Sequence, residues 1–252
     1  MNNNSIGIYD SGVGGLTVLS EIIKVLPNEN IIYLGDTARM PYGTKSKETI
    51  IEFTNECVNF LVSKNVKAII IACGTISSQA LEEVKDKYNI PIIGIIEPTV
   101  EYLNADNKTI GVIATKGTIN SNAWEKAIKD KYNNVKIINK SCQLLVGLAE
   151  EGFLNNDVAR LTIKEYMKDF KDVDKLILGC THFPLFKNLI QEELPGVEIV
   201  DTGKEIIKHI QIEKGFDMLG KHEFYLTDVS KSFKETAKML LNYDVNINKI
   251  EI

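Results

Sequence analysis

The sequence predicts an α/β protein made of two similar halves, each with a mainly parallel central sheet. Short apolar, β-branched segments alternate with stretches of helical periodicity along the 252 residues. Two of these segments, which begin at Ala68 and Lys175, each lead into a cysteine, Cys73 and Cys180. The carboxyl ends of parallel strands are where open α/β sheets bind ligands. The sequence therefore places both cysteines at candidate sites, and the functional hypothesis depends on whether the two thiols face each other across one site.

The first half of the chain alternates strands with helices. A strand over residues 6–9 runs into a glycine-rich turn, and apolar residues then recur at helical spacing over residues 16–26. Pro41 and Gly43 predict that residues 37–44 form a loop without regular structure. The other predicted elements of this half are strands at 31–34, 68–73 and 92–97, a helix around 50–61, and a helix capped by Ser77 or Ser78.

The pattern then restarts in the second half. Three landmarks recur at nearly one offset: Ile6 and Ile110 (104 residues), Ile92 and Val197 (105 residues), Cys73 and Cys180 (107 residues). Regular βαβ spacing by itself is the alternative explanation of this match. Further helices are predicted near 119–131, 144–150, 158–170 and 206–210, followed by a strand at 224–227, a helix at 233–241 and a short strand at 245–247. We expect one domain from residues 1–97 with 207–252, and a second from 98–206.

Composition excludes several classes of protein. The net charge of −5 argues against a nucleic-acid-binding surface, which needs a basic face. No apolar run approaches the ~18 residues of a membrane span, and the amino terminus lacks the pattern of a signal peptide. The four cysteines are widely spaced, without a C-x-x-C pair, and so predict free thiols in a cytoplasmic protein and no zinc site.

The cysteines differ in their surroundings. Cys57 lies on the apolar face of a helix, and it and Cys142 are interpreted as structural, because a lone cysteine is usually a small buried hydrophobe. Cys73 and Cys180 instead stand among small and hydroxyl residues before predicted helices. A thiol with an ordinary pKa of about 8.5 can form a thiolate at neutral pH when hydrogen bonds stabilise the anion. His182 is the neighbour that could assist Cys180.

A glycine-rich segment, residues 10–15, follows the first strand. The pattern G-x-G-x-x-G fails because Thr17 occupies its last position, which disfavours a dinucleotide site. The segment offers backbone N–H groups, the hydroxyl of Ser11 and the carboxylate of Asp10 at a helix amino terminus. Those groups suit a small zwitterion, with amides for its carboxylate and Asp10 for its ammonium group. A turn needed only for close packing is the alternative.

These motifs together resemble the cofactor-independent amino-acid racemases, in particular the branch that acts on glutamate. The matching segments are Asp10-Ser11-Gly12-x-Gly14-Gly15-Leu16-Thr17-Val18, Gly35-Asp36-x-x-Arg39-x-Pro41-Tyr42-Gly43, Ala72-Cys73-x-Thr75 and Leu178-Gly179-Cys180-Thr181-His182-x-Pro184.

The resemblance implies two α/β domains related by a pseudo-dyad, with the active site in the cleft between them. It also implies interconversion of L- and D-glutamate without a cofactor or metal, in a cytoplasmic homodimer that supplies D-glutamate for peptidoglycan. The implied catalytic residues are Cys73, Cys180, Asp10, His182 and Glu150, with Glu151 as the neighbouring candidate for the last position. The implied substrate-binding residues are Asp10, Ser11, Pro41, Tyr42, Gly43, Gly74, Thr75, Thr115, Thr118, Thr181 and His182.

One position departs from the family pattern. Gly74 stands where an asparagine usually follows the first cysteine, and it offers only backbone groups to a ligand. A racemase of another amino acid is therefore one alternative. A non-catalytic or redox protein, in which Cys73 and Cys180 are structural or form a disulfide, is the other.

Overall fold

The computed structural model describes residues 4–209 and 220–252. The described strands form two sheets, one of six strands and one of four, and every pair of neighbours within them is parallel. The strands are β1 (Ile6–Asp10), β2 (Ile31–Gly35), β3 (Ala68–Ile71), β4 (Ile92–Gly94), β5 (Thr109–Ala114), β6 (Lys136–Ser141), β7 (Lys175–Leu178), β8 (Glu198–Asp201), β9 (His222–Leu226) and β10 (Ile247–Lys249).

Helices connect these strands, as parallel pairing requires. They are α1 (Gly15–Val25), α2 (Lys47–Ser63), α3 (Gly74–Gln79), α4 (Leu81–Val84), α5 (Ile96–Glu101), α6 (Lys116–Asn120), α7 (Ala123–Lys131), α8 (Gln143–Glu150), α9 (Asp157–Met167), α10 (Lys187–Glu193), α11 (Thr202–His209) and α12 (Lys231–Leu241). Short 3₁₀ turns occur at Tyr42–Thr44, Lys85–Lys87, Lys168–Phe170 and Phe183–Phe186.

The two halves have the same topology, which confirms the predicted fold class. The first sheet contains the order β2-β1-β3-β4, and the second has the order β6-β5-β7-β8. Each half therefore places its first strand at the centre, beside the strand that leads to a cysteine. Cys73 follows β3 and Cys180 follows β7, so both lie at the carboxyl edge of their sheet.

The sequence did not reveal β6, the counterpart of β2. Every residue of β2 is buried, whereas β6 is partly or fully exposed along its length. The difference arises because β9 covers the outer edge of β2, while β6 is itself an edge strand. An edge strand with polar residues lacks the continuous apolar pattern by which buried parallel strands are detected.

Two predictions in the first half were wrong in detail. The fourth strand ends at Gly94 rather than Glu97, and residues 96–101 form α5. Pro98 is compatible with that helix because it lies in the first turn, where its missing N–H is not needed. The cap of α3 is Cys73, not Ser77 or Ser78. Ser77 lies inside α3, where its hydroxyl donates to the carbonyl of Ile71 at 3.1 Å.

Two other segments also differ from expectation. The loop over residues 37–44 contains a 3₁₀ turn, Tyr42–Thr44, which begins directly after Pro41. The helix predicted over 119–131 is two helices, α6 and α7, separated by Asn122 in the left-handed conformation (φ 56°). Asparagine tolerates that conformation better than most residues, so the chain turns there without a glycine.

The carboxyl-terminal segment returns to the first sheet. Strand β9 pairs with β2, and β10 pairs with β9, while α12 packs Phe233 against Tyr33 with ring centroids 5.9 Å apart. The predicted strand at 224–227 and helix at 233–241 are therefore confirmed, whereas the last strand lies at Ile247–Lys249 and shares only Ile247 with the predicted one. Ile210, predicted as part of the helix after Asp201, lies outside the described residues.

A shared core joins the halves. One apolar cluster contains Ile6 and Ile8 of β1 together with Ile110 and Val112 of β5. The predicted domain boundaries fall inside α5 and α11, two helices that contact each other, and their positions stay predictions. Within the described residues, no helix is both long and apolar enough to cross a membrane.

Candidate active site

Cys73 lies between β3 and α3, as the residue that caps α3. Its side chain is buried, and Ser11 Oγ lies 3.5 Å from its Sγ. Burial and the nearby carboxylate of Asp10 raise the pKa of the Cys73 thiol to about 12, although Ser11 acts in the opposite direction. In this closed arrangement Cys73 is therefore a protonated thiol, a form that can donate a proton.

Cys180 occupies the matching position in the second half and has a different neighbour. Its Sγ lies 3.6 Å from Nδ1 of His182, and the other ring nitrogen, Nε2, lies 2.5 Å from Oε1 of Glu150. Burial lowers the pKa of His182, but its hydrogen bonds to Cys180 and Glu150 outweigh burial and raise that pKa well above the ordinary value. His182 is therefore an imidazolium that donates from both nitrogens, to the sulfur and to the carboxylate.

The two cysteines thus differ in electrostatic environment. A cation hydrogen-bonded to a sulfur stabilises the thiolate, and His182 holds that position at Cys180. An anion beside a sulfur stabilises the thiol, and Asp10 holds that position at Cys73. The two sulfurs therefore lie beside groups of opposite charge.

Asp10 connects the two halves behind this pair. Its Oδ1 accepts the backbone N–H of Gly12 at 2.8 Å, and its Oδ2 accepts the hydroxyl of Thr181 at 3.2 Å. Thr181 in turn is held by Thr17, whose hydroxyl donates to the Thr181 carbonyl at 2.9 Å. Burial raises the pKa of Asp10, while the charge of His182 lowers it.

One cleft between the sheets brings most of the predicted residues together. The predicted residues that line this cleft are Ser11, Pro41, Tyr42, Gly43, Cys73, Thr75, Thr115, Glu150, Cys180, Thr181 and His182. The other three predicted residues, Asp10, Gly74 and Thr118, are not part of that lining. The sequence missed Met40, Gln143 and Val146, which also line the cleft. Gln143 directly begins α8, so recognising β6 would have placed it at a strand end as well.

The cleft is closed in this structure. The space that the centre of a water-sized sphere can reach is about 20 Å³, which suffices for about one water molecule. Three hydroxyls connect the two halves across the cleft, and we call them the threonine cluster: Thr75, Thr115 and Thr118. Thr75 Oγ1 lies 2.9 Å from Thr115 Oγ1, which lies 2.8 Å from Thr118 Oγ1. A larger ligand therefore enters only after the halves separate.

Tyr42 contributes to the cleft differently from the expectation. Its hydroxyl donates to Oδ2 of Asp36 and lies 3.0 Å from the hydroxyl of Tyr9. A phenol has one proton, so Tyr9 is the donor to Tyr42. Tyr42 therefore has no hydroxyl proton left for a ligand, and it presents its ring and backbone.

Gly74 allows the two halves to approach at the cysteines. A Cβ added to Gly74 would lie 2.2 Å from the carbonyl oxygen of Gly179, the residue that precedes Cys180. That distance is far inside van der Waals contact, so no other residue fits without movement of the backbone. The departure from the family pattern thus lies where the two cysteine-bearing segments approach each other too closely for a Cβ.

All four cysteines fall in the described segments, and each has a free thiol. The structure therefore does not contain the Cys73–Cys180 disulfide, which is one form of the non-catalytic or redox alternative. Residues 13–210 match the Asp/Glu/Hydantoin racemase family. The chain belongs to that family. For this racemase-family chain, the two thiols across one cleft and the sequence match point to the same class of protein.

Named relatives are similar over nearly the whole chain. The glutamate racemase of Sulfurihydrogenibium is 45% identical and covers 98% of this chain and 97% of its own. The structure of Francisella tularensis glutamate racemase in complex with D-glutamate superposes with a TM-score of 0.89 at 38% identity, covering 100% of this chain and 98% of its own. The Thermus thermophilus glutamate racemase in complex with β-chloro-D-alanine gives 0.88 at 34% identity, covering 99% and 98%. The similarity to these relatives therefore extends over both halves of the chain.

Replacing Glu150 with glutamine is expected to lower activity at pH 8 by about tenfold or more. The change removes a charge-assisted hydrogen bond worth about 1.5 to 3 kcal/mol. The pKa of His182 should then fall, because Glu150 is one of the groups that raise it. The stabilisation from a protonated His182 is fully present below its unfolded pKa of ~6.5 and is lost as pH rises through the raised folded pKa. The alkaline fall in activity and in Tm should move to lower pH in Glu150→Gln, measured by rate and circular dichroism.

Glu151→Gln is the matched control for that variant. Glu151 is the next residue, is exposed, and does not line the cleft. Its pH profile should coincide with that of the unmodified protein. If Glu150→Gln and Glu151→Gln gave the same profile, the hydrogen bond between Glu150 and His182 would have no part in the activity.

Proposed function

We propose that this chain is a glutamate racemase, which interconverts L- and D-glutamate by proton transfer at Cα without a cofactor. The proposal rests on one observation: a closed cleft between two half-domains is lined by two free thiols in opposite electrostatic environments. The names of the curated relatives support glutamate as the substrate.

In the proposed reaction, Cys180 and Cys73 act on opposite faces of the substrate. The Cys180 thiolate removes the α-proton, and the electron pair of the C–H bond remains on the substrate as a carbanion. The Cys73 thiol then donates its proton to the other face, which inverts the centre. The products are the enantiomer, a Cys180 thiol and a Cys73 thiolate, which is the protonation state that the reverse reaction needs. By analogy with the family, Cys180 acts on L-glutamate and Cys73 on D-glutamate.

The difficult step is formation of the carbanion. An amino-acid α-proton is very weakly acidic, so the developing charge must be stabilised by fixed donors in a site from which water is excluded. Thr181 and Ser11 supply hydroxyls there, and the carboxylate of Asp10, which accepts the hydroxyl of Thr181, would attract the substrate ammonium group. The threonine cluster would turn its hydroxyl protons toward a carboxylate once the halves separate and close again on the substrate.

The biological part of the proposal follows from the resemblance. A chain with this activity supplies D-glutamate for peptidoglycan synthesis in the cytoplasm. The expected homodimer stays a prediction, which sedimentation or light scattering would test.

The test is incubation of the purified protein with L-glutamate in deuterated water, with no cofactor added. Enantiomers have equal free energies, so optical rotation should decay to zero while Cα acquires deuterium. Absence of both rotation change and labelling at high enzyme concentration would overturn the proposal.

A panel of substrates tests the preference for glutamate. L-Glutamate should react fastest among L-glutamate, L-aspartate, L-glutamine and L-alanine. A faster reaction with one of the others would favour a racemase of that amino acid. That result would retain the two-thiol chemistry and reject the substrate assignment.

A further inference from the structure

The turn after β9 contacts the loop that forms one wall of the cleft. That loop, residues 37–43, follows β2 and contributes four lining residues, Met40, Pro41, Tyr42 and Gly43. Thr227, in the turn, lies 191 residues after Asp36 and beyond the span of the family match. Its backbone N–H donates to the carbonyl of Gly35 at 3.2 Å.

The hydroxyl of Thr227 makes two further bonds to the start of the loop. It donates to Oδ1 of Asp36 at 2.8 Å and accepts the backbone N–H of Ala38 at 2.9 Å. Only a hydroxyl donates and accepts in this way, so serine can replace threonine here and valine cannot. The adjacent residue extends the contact, since the N–H of Asp228 donates to Thr37 Oγ1 at 2.9 Å.

Asp36 carries this contact to the cleft. Its carboxylate is completely buried, and while Oδ1 accepts from Thr227, Oδ2 accepts from Nε of Arg39 at 2.7 Å and from the hydroxyl of Tyr42. The carboxylate of Asp36 therefore links Thr227 to Tyr42 through two hydrogen bonds. Loss of one donor to a buried carboxylate leaves an acceptor unsatisfied and favours a different arrangement of the remaining two.

We propose that Thr227 is a positioning residue for the cleft: it orients Asp36 and thereby fixes residues 37–43 in the geometry that binds substrate. This inference rests on the proposed function of the cleft, and it gives residues 220–252 a role in an active site to which they contribute no lining residue.

Kinetics separate this role from simple structural support. Residues 37–43 carry neither thiol, so a loosened loop weakens binding of substrate and transition state alike, which raises KM and preserves kcat. Loss of folded protein has the opposite signature, because it lowers the concentration of active sites and leaves KM unchanged.

The experiment compares Thr227→Val, Thr227→Ser and Ser230→Ala. Thr227→Val should raise KM about fivefold or more, with kcat changed less than about twofold, and Thr227→Ser should restore KM to within about twofold. Ser230→Ala removes the cap of α12, where Ser230 Oγ accepts the N–H of Phe233 at 3.1 Å, and so weakens the same segment without touching the loop. Its KM should not change.

Hydrogen exchange provides a reading that needs no activity. Amides of residues 37–44 should exchange faster in Thr227→Val than in Thr227→Ser or Ser230→Ala. If the unmodified protein racemises nothing, the proposed function fails, and the exchange result alone decides the role of Thr227. Equal KM and equal exchange in Thr227→Val and Ser230→Ala would overturn it. If Thr227→Val does not accumulate as folded protein, Thr37→Val replaces it, because it removes the hydrogen bond from Asp228 N–H to Thr37 Oγ1. KM and hydrogen exchange are then measured on Thr37→Val in the same way.

Discussion

Replacement of Cys73 or Cys180 with serine is expected to lower racemisation on the order of 10³-fold while the protein stays folded. A hydroxyl is a much weaker acid than a thiol, so serine neither forms the anion that removes the α-proton nor returns one readily. The sizes of the two side chains are similar, and both positions lie at strand ends and line the cleft. The measurement is the decay of optical rotation, with circular dichroism as the check on folding.

Cys142→Ala is the control for loss of a thiol as such. Cys142 is completely buried in the apolar core of the second half and does not line the cleft. It should lower stability by about 1 kcal/mol and leave kcat/KM within a factor of about two. A serine variant at Cys73 or Cys180 with near-normal activity would remove that residue from the mechanism.

Deuterium labelling distinguishes the two thiols from each other. With Cys73 replaced, Cys180 can still remove and return a proton on its own face, so one enantiomer of glutamate should acquire deuterium without inversion. With Cys180 replaced, the other enantiomer should be labelled. Labelling of the same enantiomer by both variants would contradict their placement on opposite faces of the substrate.

Gly74→Asn is expected to lower kcat/KM about 10²-fold, even though the resemblance makes asparagine the usual residue. Any Cβ at this position would meet the carbonyl oxygen of Gly179 at 2.2 Å, against 3.4–4 Å for ordinary contact. The backbones that carry Cys73 and Cys180 must then move apart by about 1 Å, and a displacement of that size can cost about 10² in rate. The decay of optical rotation with L-glutamate measures the effect.

Gly74→Ala and Gly147→Ala accompany that variant. Gly74→Ala adds only the Cβ, so a loss similar to that of asparagine identifies the close approach as the cause. Gly147 lies in α8, where an added Cβ meets nothing within 4 Å, so Gly147→Ala should keep full activity and gain about 0.5 to 1 kcal/mol of stability. Normal or increased activity in Gly74→Asn would show that the glycine is merely a permitted replacement.

Much of the cleft was predictable because its parts are local. A strand that ends in a small residue and a cysteine is visible in eight residues of sequence, and the turn after Asp10 is visible in six. The relation between the two halves followed from the repeat of such landmarks, but the order of strands in each sheet did not. Strand β6 was not predicted because its edge position permits polar residues. Gln143, which follows it and lines the cleft, was therefore not predicted as a site residue.

The sequence by itself determined which residue types stand at the strand ends, and hence the fold class and the candidate residues. Only the tertiary structure decided their partners: Glu150 rather than Glu151 lies beside His182, Asp36 rather than a ligand receives the proton of Tyr42, and Thr227 reaches the cleft wall from the far end of the chain. The physical reason is distance along the chain. Periodicity and turn chemistry act over a few residues, whereas the hydrogen-bond partners of these side chains come from segments up to 191 residues away, as for Asp36 and Thr227.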